Sequence, residues 1–181
     1  MRKWNAVISG LMLILFLAHA IMGGMELIGL YEGLNTIVSK IAWALLFLVF
    51  LHLVIGIKLT VDTLSACKKS GISYFKENKL FWVRRISGFA IALFIVFHVI
   101  IFMGRETGNG YRLHFFGMAE LITQIFLVLS IALHVLANLK PSLIAFGIKE
   151  WKEYAADILF VLSVFLIFMG IAFFIYYMRW G

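Results

Sequence analysis

The sequence predicts an all-α membrane protein, a bundle of five transmembrane helices forming a single domain over residues 1–181. Three observations lead there. Hydrophobic residues make up 64% of the chain and the mean hydropathy is +1.03, beyond what a water-soluble domain sustains. Five apolar stretches each reach the ~20 residues needed to cross a hydrocarbon core of about 30 Å. The segments between them are too short to fold as separate domains, so chemistry on water-soluble substrates would have to come from another polypeptide.

The first predicted helix is Trp4–Leu30. Met1-Arg2-Lys3 ahead of an apolar run, with Ala18-His19-Ala20 inside it, imitates a secretory signal and its cleavage site. The apolar sequence runs on to Leu30 and Trp4 suits an interfacial anchor, so a retained spanning helix is expected. The second is Ile37–Val61, followed by the longest and most basic connection. The third is Phe81–Met103, after which Gly108-Asn109-Gly110 marks a turn. The fourth is Phe116–Leu139, with Pro141, the only proline, placed where a helix stop is expected. The fifth, Ala155–Tyr177, carries no histidine and reads as a structural wall.

The net charge of +7 invites a nucleic-acid reading, which the positions of the charges exclude. With the N-terminus in the cytoplasm, Arg2, Lys3, Lys58, Lys68, Lys69, Lys76, Lys79, Arg84, Arg85, Lys140, Lys149 and Lys152 fall inside, and only Lys40, Arg105, Arg112 and Arg179 outside. That bias sets a topology with the N-terminus cytoplasmic and the C-terminus outside. The inner basic face could also dock an acidic partner. The lone Cys67 can form no internal disulfide and no c-type haem attachment, and reads as a reduced thiol.

His19, His52, His98 and His134 each lie deep in a different apolar helix. Ionisable groups at such depth are costly and point to a functional site. His52 precedes Lys58 by six residues and His134 precedes Lys140 by six, which puts both about 9 Å from the inner boundary. His19 follows Lys3 by sixteen and His98 follows Arg85 by thirteen, roughly 20–24 Å from that boundary. The expected arrangement is an inner pair from helices 2 and 4 and an outer pair from helices 1 and 3. Two such pairs suit the axial ligands of two stacked haems, with both axial positions filled for electron transfer. Interhelical hydrogen bonding is the ordinary role of any one such histidine. One histidine per helix argues against a compact metal site, which favours close-spaced ligands. Gly23 and Gly56 each follow a candidate ligand by four residues, on its face, where a flat cofactor could approach.

The halves echo each other. Ile8-Ser9-Gly10 precedes His19 much as Ile86-Ser87-Gly88 precedes His98, and helices 2 and 4 share a similar approach to His52 and His134.

Three stretches carry a family resemblance: Leu80-Phe81-Trp82-Val83-Arg84-Arg85-Ile86-Ser87-Gly88 running to His98-Val99; Phe47-Leu48-Val49-Phe50-Leu51-His52 with Gly56; and Leu127-Val128-Leu129-Ser130-Ile131-Ala132-Leu133-His134 running on to Gly147. With helix 1 and His19, the chain resembles the di-haem cytochrome b subunit of succinate dehydrogenases and fumarate reductases, of the five-helix, single-subunit anchor type. The resemblance implies two haem b groups, His19 and His98 holding the outer and His52 and His134 the inner. It implies docking to an iron–sulfur subunit and an FAD-bearing flavoprotein subunit at the cytoplasmic face of a bacterial inner membrane. It further implies exchange of electrons with quinone, usually menaquinone, near the outer haem. Some fumarate-reducing members carry a Glu on helix 4, two residues before the ligand, implicated in proton movement. Ala132 stands there, which puts that proton route in doubt.

Quinol oxidation releases protons and needs an acceptor near the ring oxygens. Glu26, seven residues beyond His19, is the preferred candidate; Glu120, fourteen before His134, is the second. Both also read as interfacial carboxylates in contact with water. Haem propionates need cations or donors. Arg105 suits the outer haem, and Arg84, Arg85, Lys140 and Ser87 the inner. Each of the basic residues equally serves as a topology determinant. His114, in the outer loop, is not counted as a ligand. Two rival readings stay open: a cytochrome b subunit of a formate dehydrogenase or hydrogenase complex, and a non-haem transporter using buried histidines as relays.

Overall fold

The computed structural model describes residues 2–30, 35–71, 78–103, 105–107, 110–112, 116–148 and 150–180. Five helices carry the fold: α1 (Arg2–Leu27), α2 (Asn35–Lys69), α3 (Lys79–Phe102), α4 (Met118–Ala145) and α5 (Trp151–Trp180). Each is long and apolar enough to cross a membrane. Two short strands between α3 and α4 were not expected. β1 (Arg105–Thr107) and β2 (Gly110–Arg112) pair antiparallel, with Thr107 opposite Gly110. Gly108 and Asn109, expected as a turn, lie outside the described residues.

The helices alternate in direction. Arg179 near the end of α5 donates Nη1 to Ile28 O just past α1, at 3.0 Å. Arg84 and Arg85 near the start of α3 reach Ala137 O on α4 and Gly56 O on α2. Lys58, Lys68, Lys69, Lys79, Arg84, Arg85, Lys140 and Lys152 therefore gather at one end of the bundle, hereafter the basic end. The close backbone packings are α1 on α2, α3 on α4, α4 on α5 and α1 on α5. Two helical hairpins are thus joined by α5, which packs on both. Its Phe165, Met169 and Phe173 form a buried cluster with Ala20, Phe116 and Leu121 at the far end. A Cβ on Gly24 would lie 2.7 Å from the Phe168 ring, which would have to shift, so glycine suits this close α1–α5 approach. The outward faces stay apolar: Phe47, Phe50, Val54, Ile57 and Val61 of α2 are all exposed. Such a stripe is untenable in water and natural against lipid.

Helix ends depart from the sequence expectation for identifiable reasons. The first stops at Leu27, not Leu30, because Gly29 turns left-handed (φ 79°) and its N–H and that of Leu30 return to Glu26 O and Met25 O. The second runs eight residues past Val61. Nothing in Asp62–Lys69 breaks a helix, and Lys68 and Lys69 complement the helix dipole in its last turn. The third and fifth begin somewhat earlier than expected, with Asn78 Oδ1 accepting the Phe81 N–H at 3.0 Å to cap α3.

The reading of Pro141 as the stop of helix 4 is corrected: it lies inside α4, which ends only where Gly147 turns left-handed (φ 83°). Proline lacks the N–H that would bond the carbonyl four residues back. That carbonyl belongs to Ala137, and it accepts Arg84 Nε at 2.8 Å instead. The side chain from α3 replaces the missing backbone donor, so the helix continues past its proline.

Two facing histidine pairs

The structure brings the four intramembrane histidines together in twos. The His19 and His98 ring centroids lie 6.1 Å apart, with planes at 82°. Those of His52 and His134 lie 6.3 Å apart, at 87°. Each pair joins helices that are not among the closely packed ones, α1 with α3 and α2 with α4. The rings, not the backbones, span these gaps.

The separations can be set beside two geometries. Rings joined by a direct N–H···N bond of about 2.9 Å, each nitrogen about 1.1 Å from its ring centre, would stand about 5.1 Å apart. Rings bound to opposite sides of one metal ion, through nitrogen–metal bonds of about 2.0 Å, would stand about 6.2 Å apart. Both observed separations lie nearer the second value, and both also lie within the 4.5–7 Å range of edge-to-face ring pairs. Among the described residues no three His, Cys, Asp or Glu side chains gather as a metal site. Among the described residues, each facing pair thus offers two imidazole donors.

Space around the rings is kept by glycine. A Cβ on Gly88 would lie 3.3 Å from His134 Cε1, so that residue sets how closely α3 backs the ring. A Cβ on Gly23, one turn beyond His19, would have nothing within 4 Å, leaving open space on that face. A Cβ on Gly56 would lie 3.8 Å from Arg85 Nη1, ordinary contact.

Hydrogen bonds fix the ring nitrogens. Ser9 donates its hydroxyl to Asn5 O at 2.8 Å, so its oxygen is left to accept from His52 Nδ1 at 3.4 Å. Ser87 does the same on the other hairpin, donating to Arg84 O at 3.2 Å and facing His134 Nδ1 at 3.1 Å. His98 Nδ1 faces Gln124 Oε1 at 2.8 Å. The amide's orientation is set by Gln124 Nε2 donating to Thr123 Oγ1, which itself donates to Glu120 O. In all three, Nδ1 carries the proton and Nε2 keeps the lone pair, the tautomer that ligates a metal. His19 Nδ1 is buried with no hydrogen-bond partner among the described residues.

The echoed Ile-Ser-Gly segments thus do the same thing twice: the serine of each serves the inner-level histidine on the next helix. Sequence reasoning assigned Ser87 to a haem propionate; its buried hydroxyl is committed to His134. Sequence reasoning missed Gln124, which is fully buried. A polar side chain amid the apolar run of helix 4 was the signal available.

The other expected residues divide by position. Arg84 and Arg85 flank the His52/His134 level, Arg84 held by Ala137 O and Arg85 by Gly56 O at 3.4 Å and the Phe81 ring at 5.0 Å. Lys140 is exposed at the same end. Glu26 is half-buried in the last turn of α1. Glu120 caps α4, its Oε2 accepting the Gly117 N–H at 2.9 Å. The side chain of Arg105, and all of His114, lie outside the described residues. Beyond His98 toward the far end, Phe102 (4.9 Å), Phe116, Phe173 and Tyr176 form a mutually packed aromatic lid.

No family model matches this chain, and no curated protein or solved structure is similar to it.

Proposed function

We propose that this chain is the di-haem b membrane anchor of a succinate:quinone or quinol:fumarate oxidoreductase. It would relay electrons between membrane quinone, in the first instance menaquinone, and the iron–sulfur subunit of a complex that also contains an FAD-bearing flavoprotein. The observation that carries the reading is the pair of ring separations, 6.1 and 6.3 Å, each spanning helices that do not pack closely. The sequence resemblance supports it, as does the lysine- and arginine-rich end of the bundle. That end would face the cytoplasm of a bacterium and present the docking surface.

Haem held between two imidazoles would supply one-electron transfer. The chain's residues do the rest. His19 and His98 hold the far site, and His52 and His134 the site nearer the basic end. Ser9, Ser87 and Gln124 keep the Nδ1 protons in place, so each Nε2 presents its lone pair. Arg84 and Arg85 bring cationic charge to the basic-end level, where they would compensate propionates. Glu26, in the last turn of α1, is the preferred acceptor for protons released by a quinol, and Glu120, which also caps α4, is the second.

Purification of the complex with haem assay and a reduced-minus-oxidised spectrum tests the proposal. Two low-spin b-type haems per chain and an FAD-containing partner are expected. A molybdenum- or nickel-bearing partner would move the chain to another respiratory complex, and a colourless protein would leave the histidine-relay transporter. A narrower expectation concerns Gly88→Val. With a Cβ already 3.3 Å from His134 Cε1, added methyls must displace a ring that Ser87 holds. The variant should lose haem from the basic-end site and keep the far one, seen as a halved pyridine haemochrome yield.

A further inference from the structure

We infer that Gln124 is a positioning residue for the far site, and that the two far ligands are inequivalent because α2 carries alanine where α4 carries this glutamine. The inference rests on the di-haem reading. Superposing the two hairpins in sequence, with His52 on His134, places Ala42 at the position of Gln124. Depth agrees. Ala42 precedes Lys58 by sixteen residues and His19 follows Lys3 by sixteen, so both lie about 24 Å from the basic end. The serines obey the repeat, each bonded to the Nδ1 of its basic-end histidine. The far level breaks it. His98 Nδ1 has Gln124 Oε1 at 2.8 Å, whereas His19 Nδ1 is buried without a partner among the described residues.

The consequence is electronic as well as steric. An acceptor on Nδ1–H raises the basicity of the opposite nitrogen and fixes ring orientation. Greater basicity favours the oxidised metal, so the accepted bond holds the potential of the site down. Gln124 is suited to this by being fully buried and by having its amide pinned through Thr123 to the backbone. His19, without such an acceptor, is the weaker donor of the two.

The test uses the intact complex in detergent, with redox titration followed in the visible spectrum and low-spin ferric EPR. Gln124→Leu should raise the far-haem potential and loosen that haem's retention about tenfold or more, leaving the basic-end haem unmoved. Gln124→Glu should move the far-haem potential in the opposite direction, which a merely structural role would not do. If Gln124→Leu empties the far site, the sign of the Gln124→Glu shift decides. Ala42→Gln should supply the missing acceptor and lower the far-haem potential. Variants in which neither haem moves, or both move together, would overturn the inference while leaving a two-haem protein in hand. A protein with no haem overturns this and the proposed function together.

Discussion

On the proposed di-haem reading, His52→Leu is expected to halve the haem content, from two per chain to one, with the surviving haem still low-spin. The basic-end site takes its two protein donors from α2 and α4, and the far site from α1 and α3. Loss of one ring leaves a site with a single donor, while the other site shares no ligand helix with it. His134→Leu should therefore give the same spectrum as His52→Leu. His19→Leu and His98→Leu should give a second spectrum, common to those two. Leucine belongs in these helices, so the fold should survive. Pyridine haemochrome yield and difference spectra measure the outcome. Four variants that fail to sort into those two classes would break the pairing.

The second large effect concerns stability. Arg84→Met removes the only donor shown for Ala137 O, a carbonyl that Pro141 cannot serve. Leaving a buried acceptor unmade costs about 1–3 kcal/mol, and Ala137 O is part-buried. In a Pro141→Ala background the backbone N–H returns, and Arg84→Met should cost markedly less. Such non-additivity is what a double-mutant cycle measures between residues in direct contact. Denaturant unfolding of the four proteins in detergent checks it. Equal costs in both backgrounds would mean that Arg84 does not compensate the proline.

Much of the bundle was legible because the apolar runs are long and their lengths fit a bilayer. The level of each histidine was legible too, because rise per residue converts position into depth. The helix ends were less so. Gly29 and Gly147 stop α1 and α4 through left-handed turns, while Pro141, the more conspicuous signal, does not stop α4. Its effect is cancelled by Arg84, fifty-three residues before Ala137, whose carbonyl it serves, and no local rule sees that donor. The partners of Ser9, Ser87 and Gln124 were hidden for a related reason. They lie on neighbouring helices, and which face of a helix meets which ring depends on rotation, which packing sets. The echo of Ile-Ser-Gly was visible from the start, but only as a spacing to the histidine further along the same helix. Each serine serves the ring on the following helix, not the one further along its own.

Every facing couple of rings takes one member from the α1–α2 hairpin and one from the α3–α4 hairpin. Neither hairpin can complete a site alone, so inserted cofactor would act as a clasp between halves that otherwise meet mainly through α5. On the proposed di-haem reading, maturation would be a docking event inside the bilayer, with both hairpin arms inserted before bound cofactor locks them. Before that locking the arms should splay, and spin labels on α2 and α4 would register their closure as the colour appears.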